Sequence, residues 1–168
     1  MVTATLASEG CATVFLWLPL LAILAHLCEE FLWPGGFIDW YRHYPPGFTA
    51  AVSVRFIVII NIIFVALAVT PPLLGPSPRA WASWVVLVCI AGINGIFHLV
   101  ATVRGRRYSP GVITGALLYV PLAAIGTISL HQQGLVSTGT VAQAVIIAGV
   151  YQLWSSRKHR RASVAVAR

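Results

Sequence analysis

The sequence predicts an all-α protein, a polytopic membrane bundle of five transmembrane helices, and three observations support this fold class. Hydrophobic residues make up 58% of the 168 residues, charged residues 9%, and the mean hydropathy is +0.86, whereas soluble domains carry roughly 25% charged residues. Five apolar stretches approach the length of about 20 residues that a helix needs to cross a bilayer. The stretches are continuous rather than alternating, which favours helices over barrel strands.

The predicted spans follow one another with short connections that are rich in turn-forming residues. The first stretch has no Lys or Arg among residues 1–10, so we expect a retained span rather than a cleaved signal peptide. The connections leave no room for a second core, so residues 1–168 are predicted to form one domain. The spans cover about 11–33, 49–70, 80–103, 111–130 and 136–155, and a basic tail covers 156–168.

Basic residues predict the orientation of the bundle. With the N-terminus outside, the inner segments carry Arg42, the Arg104, Arg106 and Arg107 cluster and the tail, whereas the outer segments carry only Arg79. This asymmetry follows the positive-inside rule and predicts a cytoplasmic C-terminus. It also explains the net charge of +7 through contact with membrane lipids, so no nucleic-acid partner is expected.

The first span carries His26, Glu29 and Glu30 within an apolar run. Carboxylates at membrane depth are costly unless they are protonated, paired or bound to a cation, and they commonly mark functional sites. His26 and Glu30 are four residues apart and therefore project from one helix face. Asn94 and His98 share a face of the third span at a similar predicted depth. We predict that these five residues form a catalytic pocket in the inner half of the membrane.

These residues carry a family resemblance. The spacing of His26, Glu29 and Glu30 early in the first span resembles the HXXEE family of small bacterial integral membrane proteins, which is defined by this motif. The similarity extends to the following W-P-G-G, to NGIFH with Asn94 and His98, and to Y-S-P-G at 108–111. The resemblance implies a small helical membrane bundle and a role for the motif residues. It does not imply a reaction, because the family is defined by the motif more than by an activity.

General acid and base catalysis is the first chemistry that these residues predict. A buried glutamate can hold a proton for donation, and a neighbouring histidine can orient or replenish it. The expected substrate is a lipid-soluble small molecule, most simply an isoprenoid that is protonated and then cyclised or isomerised, and no cofactor is required. The arrangement is similar in style to membrane terpene cyclases and sterol isomerases. The predicted substrate contacts are Trp33, Arg55, Phe97, Tyr119 and Tyr151.

Four alternatives remain open at the level of sequence. His26, Glu30 and His98 could ligate Zn or Fe in a membrane hydrolase or oxygenase. A proton-coupled transporter could instead use a relay of His26, Glu29, Glu30 and Arg55. Arg55 could neutralise a glutamate in a structural ion pair. Finally, the GxxxG of Gly111 and Gly115 could pack helices or form a homodimer.

Overall fold

Six helices build the protein in the computed structural model, which describes residues 2–43 and 54–166, with side chains at 10–43, 54–155 and 157. No strand occurs in these residues, so the prediction of an all-helical fold is confirmed for them. The third and fifth helices are each built from shorter helical segments that follow one another directly. The helices are α1 (Val2–Phe31), α2 (Phe37–His43), α3 (Val54–Leu74), α4 (Pro78–Gly105), α5 (Val112–Gln132) and α6 (Thr138–Val166).

Four helices in the described residues are long and apolar enough to cross a membrane, one fewer than the sequence predicted. They are Gly10–Phe31 within α1 and the whole of α3, α4 and α5. The fifth predicted span, 136–155, lies in the first part of α6, where residues such as Thr138, Gln143 and Gln152 dilute the apolar sequence. Residues 49–53, which the prediction gave to the second span, lie outside the described residues.

The segment between the first two spans forms a short helix, α2, where the sequence predicted only a short connection rich in turn-forming residues. Asp39 in its first turn and Arg42 in its last turn complement the helix dipole. Phe37 and Tyr41 are buried and pack with Ile57 of α3. This packing places α2 directly beside the candidate site.

Small residues allow α4, α5 and α6 to pack closely. A Cβ on Gly95 of α4 would lie 2.7 Å from the carbonyl oxygen of Gly115 in α5, so the two backbones touch. On α6, Ala144 and Ala148 are fully buried, and Ala144 joins a core cluster with Trp84 of α4. These contacts fix the rotation of α4 and α5 about their own axes, and that rotation determines which side chains meet at the site.

The helix α5 departs from regular α geometry in two places. Residues Gly115–Tyr119 and Leu122–Gly126 form π-helical turns, which are rare and occur frequently at functional sites. The first turn begins one residue after Thr114 and ends at Tyr119, and both of these residues contact His26. The irregular segment therefore lies immediately beside the motif histidine.

Candidate functional site

His26, Glu30 and His98 form a buried triad at the centre of the bundle. The Nε2 atom of His26 lies 3.4 Å from Oε1 of Glu30, and Nε2 of His98 lies 3.3 Å from the same oxygen. All three residues are at most 4% exposed. The helical period brings His26 and Glu30 together on α1, as the sequence predicted, whereas His98 reaches them through the packing of α4. Two imidazoles therefore converge on a single carboxylate oxygen.

Hydroxyl groups hold the other nitrogen of each ring. Nδ1 of His26 lies 2.8 Å from the hydroxyl of Thr114, and Nδ1 of His98 lies 2.9 Å from the hydroxyl of Ser109. The Thr114 hydroxyl gives its single proton to Glu29 over 2.5 Å, so it must accept a hydrogen bond from Nδ1–H of His26. A neutral His26 then carries its lone pair on Nε2, which lies between the Asn94 amide and Glu30.

Glu29 has a different environment from its neighbour Glu30. Its carboxylate accepts hydrogen bonds from the Tyr108 hydroxyl at 2.6 Å, from the backbone N–H groups of Ile113 and Thr114 at 3.0 and 2.7 Å, and from the Thr114 hydroxyl. The two backbone donors belong to the first turn of α5, where a helix favours negative charge. Glu29 is thus satisfied without a cation, and it holds α1 against the start of α5.

Tyr108 lies in the connection between α4 and α5 and donates to Glu29. Partial burial disfavours the phenolate, and the hydrogen bond to the Glu29 carboxylate disfavours it further, so the pKa of Tyr108 is raised above its usual value. The phenol therefore stays protonated and remains a donor throughout the neutral pH range.

Asn94 and Gly111 complete the immediate surroundings of the triad. The side-chain amide of Asn94 donates to Nε2 of His26 at 3.2 Å. Gly111 has a φ of +99°, and a Cβ at this position would lie 2.7 Å from Cε1 of His26 and 3.0 Å from Cε1 of His98. Only glycine allows the α5 entry to pass so close to both rings.

Aromatic rings enclose the two histidines. Tyr119 stacks on His26 with a centroid distance of 4.3 Å. Trp40 and Phe37 of α2 lie 6.1 and 5.8 Å from His98, and Phe97 lies 5.3 Å from it. The triad is therefore screened from water on the side of α2 and α5, and its charged groups lie in a medium of low dielectric constant.

A cavity of about 120 Å³ opens beside the triad, between α1, α3, α4 and α6. His26 and Glu30 form part of its wall, whereas Glu29 does not. Of the predicted substrate contacts, the structure brings Phe97, Tyr119 and Tyr151 to this wall and leaves Trp33 and Arg55 outside it. The wall also contains Ile23, Leu27, Phe37, Tyr41, Asn61 and Asn94.

Two structural alternatives from the sequence can be compared with this geometry. Arg55 is exposed and makes no ion pair with Glu29 or Glu30 in the part of the chain that the structure describes. Gly111 and Gly115 of the GxxxG pattern are both buried within the protein, the first against the histidines and the second against Gly95. This glycine pattern therefore serves packing inside one chain, and a homodimer remains a prediction without support from it.

Sequence reasoning missed the residues that orient the histidines. Ser109, Gly111 and Thr114 lie in the entry to α5, where serine, glycine and threonine are common as ordinary turn and helix-start residues. In the sequence, the Y-S-P-G turn contributes only to the family resemblance. This turn lies in the connection that directly follows the helix of His98, and that position is the signal that could have placed Ser109 beside the His98 ring.

Comparison with known proteins gives a family but no activity. The model of the family described as "Protein of unknown function with HXXEE motif" matches residues 17–125, which is more than half of the chain. The uncharacterized protein YrkK of Bacillus subtilis (strain 168) is 29% identical over 75 residues, which cover 43% of this chain and 48% of that protein. The chain thus spans about half the length of this relative, and no solved structure matches. With its His26, Glu29 and Glu30 motif inside the matched region, the chain belongs to the HXXEE family.

Proposed function

We propose that this protein is an integral membrane enzyme that acts on a lipid-soluble substrate at the His26, Glu30 and His98 triad. The observation that carries the proposal is that His26 and Glu30, which are almost fully buried, line a cavity whose other walls are largely aromatic and aliphatic. A concave apolar site with a few convergent polar groups is the usual form of a small-molecule site. A glutamate that served only to join helices would not need a cavity beside it.

The charge balance of the triad supports a chemical role. Glu30 faces two imidazole nitrogens, one of which carries the lone pair of a neutral His26. Two electron-rich groups at 3.4 Å repel one another in a low-dielectric interior unless a proton or a cation lies between them. Since Arg55 does not supply that charge and the Asn94 amide supplies only a neutral donor, the proposed state of the triad holds a proton or a metal ion, and either one would take part in the reaction.

With a proton on Glu30, the triad suits the isomerisation or cyclisation that the sequence predicted. Glu30 would donate its proton to one carbon of a double bond, and the lone pair of His26 Nε2 would accept a proton from a neighbouring carbon. The proton would return from His26 to Glu30 across 3.4 Å. Cyclisation differs only in that a second double bond attacks the cation before the proton leaves. The faces of Phe97 and Tyr119 would stabilise the cation.

The bilayer offers a route for such a substrate between α1 and α3. A groove on this proposed membrane-facing surface is lined by the polar Asn61 and by apolar residues that include Leu27, Phe31 and Val58. Leu27 and Asn61 also belong to the wall of the inner cavity. These two side chains therefore separate the groove from the cavity, and their movement would open a path between them. The inner cavity of about 120 Å³ would take the reactive end of the substrate, while its hydrocarbon part lies in the groove.

The proposed topology places the site near the cytoplasmic face. The four apolar helices and α6 as a fifth crossing would give an external N-terminus and a cytoplasmic C-terminus in a bacterial inner membrane, consistent with the positions of Arg104, Arg106 and Arg107. The helix α6 packs along α4, where Ala144 joins the core cluster of Trp84, and this packing supports its place in the bundle.

Comparative lipid analysis tests the proposal even though the substrate is unidentified. Lipid extracts would be compared by mass spectrometry from cells that express the wild type, Glu30→Gln, or the control Asp39→Asn, which changes an exposed carboxylate of α2. We expect a lipid species that is altered by the wild type and by Asp39→Asn but not by Glu30→Gln. Identical extracts from all three strains, at matched levels of inserted protein, would refute the proposal.

A further inference from the structure

We infer that the triad of His26, Glu30 and His98 binds a divalent metal ion, and that zinc fits it best. The inference names the positive charge that the proposed function requires at the triad. Only the catalytic role of the ion rests on that proposed function, because metal binding can be measured by itself. Two histidines and one glutamate form a known ligand set for catalytic zinc. The three residues come from α1 and α4, two rigid helices that are held together by the packing described above.

Two of the three spacings between ligand atoms match tetrahedral coordination. Zinc bonds of about 2.0–2.1 Å at tetrahedral angles separate neighbouring ligand atoms by about 3.4 Å, whereas octahedral coordination at a similar bond length gives about 3.0 Å. The two distances to Glu30 Oε1 are 3.4 Å from His26 and 3.3 Å from His98. The His26 and His98 nitrogens lie within 4.8 Å of each other, so binding of one ion by both would require one imidazole to move closer to the other.

Both histidines are oriented as metal ligands usually are. A ligating imidazole generally donates its second N–H to an oxygen that fixes its tautomer and its rotation. His26 is held in this way by Thr114, which in turn is bonded to the Glu29 carboxylate, and His98 contacts Ser109. Proton exchange with Glu30 would need only one imidazole, whereas binding of a metal ion explains why two oriented imidazoles face the same carboxylate.

The Nε2 atom of His98 supplies an independent indication. This nitrogen is buried and has no hydrogen-bond partner in the described part of the chain, because its contact with Glu30 lacks hydrogen-bond geometry. A buried polar atom without a partner is costly. Coordination of a cation would satisfy it, and the surrounding Phe37, Trp40 and Phe97 rings would exclude competing water.

The site would remain open on one side. Three protein ligands leave a fourth position of a tetrahedral ion free, and His26 and Glu30 both face the cavity. Binding of the ion to Nε2 of His26 would displace the hydrogen bond that this atom accepts from Asn94 at 3.2 Å, and the freed amide would be near a group at the open position. Such an ion would polarise an oxygen of the substrate or lower the pKa of a bound water. This would extend the range of substrates from alkenes to lipid esters and amides.

Metal analysis of the purified protein tests the inference. The full chain in detergent would be incubated with Zn²⁺ alone, freed of excess by dialysis and measured by elemental mass spectrometry. We expect about one zinc per chain in the wild type, and affinity lower by at least about tenfold in His26→Ala, Glu30→Gln and His98→Ala. Co²⁺ in place of zinc should give the intense visible absorption of a tetrahedral site. His131→Ala, which removes an exposed histidine of α5, is the matched control and should bind zinc like the wild type.

The outcomes separate this inference from the proposed function. A wild type that holds no more zinc than a His26→Ala and Glu30→Gln double variant overturns the metal site, and so does zinc binding that survives all three ligand substitutions. If that metal-free wild type still alters the lipid extract, the enzymatic role stands with a proton in the triad. If the wild type binds zinc but the extract is unchanged, the metal site stands and the enzymatic role fails. The cobalt spectrum of the wild type keeps the test valid should a variant fail to fold.

Discussion

Thr114→Val is the substitution that most directly tests how the site is held together. The Thr114 hydroxyl accepts from His26 Nδ1 at 2.8 Å and donates to Glu29 at 2.5 Å, so it joins the motif histidine to the motif glutamate. Valine has nearly the same shape and keeps the backbone N–H that also binds Glu29. The substitution therefore removes one oxygen and little else.

The expected cost follows from the two lost hydrogen bonds. The Nδ1–H group of His26 would be left buried without a partner, which costs about 1–3 kcal/mol. Glu29 would lose one charge-assisted hydrogen bond but keep the donors Tyr108, Ile113 N–H and Thr114 N–H. We therefore expect the free energy of unfolding to fall by about 2–4 kcal/mol. We also expect a loss of zinc affinity of about 10–100-fold, because the orientation of His26 is no longer fixed.

The matched control is Thr127→Val in the same helix. The Thr127 hydroxyl is buried near the weakly polar Cys89 thiol and has no hydrogen-bond partner in the described residues. We expect this substitution to leave stability unchanged within about 0.5 kcal/mol or to raise it. Unfolding in detergent, followed by far-ultraviolet circular dichroism, and zinc titration would measure both effects. Equal stability and equal zinc affinity in the two variants would refute the role assigned to Thr114.

Two further predictions concern the entry to α5. Gly111→Ala should destabilise the protein by about 1–3 kcal/mol more than Gly134→Ala. Both glycines have positive φ, but only at Gly111 would the new Cβ meet a side chain, at 2.7 Å from His26. Equal free energies of unfolding for the two variants would contradict the close approach of Gly111 to His26. The raised pKa of Tyr108 favours the neutral phenol in the folded state. The wild type should therefore be more stable than Tyr108→Phe by a full amount below the unfolded pKa of about 10, and this difference in the free energy of unfolding should be lost as the pH rises above it. Thermal unfolding of both proteins from about pH 6 to about pH 11 would measure this, and a difference that changes at neutral pH would count against the hydrogen bond to Glu29.

Much of the site follows from helical period and composition. The apolar stretches predict membrane helices, and the four-residue spacings predict that His26 faces the same way as Glu30, and Asn94 the same way as His98. The structure brings Glu30, Asn94 and His98 together beside His26. These features depend on the local geometry of a helix, which can be predicted from the spacing of residues in the sequence.

The order of residues alone is enough to identify an apolar helical protein with a costly polar motif in its first span. The role of each motif residue depends instead on how the helices pack. Glu29 and Glu30 are neighbours in sequence but point about 100° apart on α1, so one meets the amides of α5 and the other meets His98 and the cavity. Which neighbour each face meets depends on the close approach of Gly95 to Gly115. Composition and period cannot specify that contact, because it is set by the packing of whole helices.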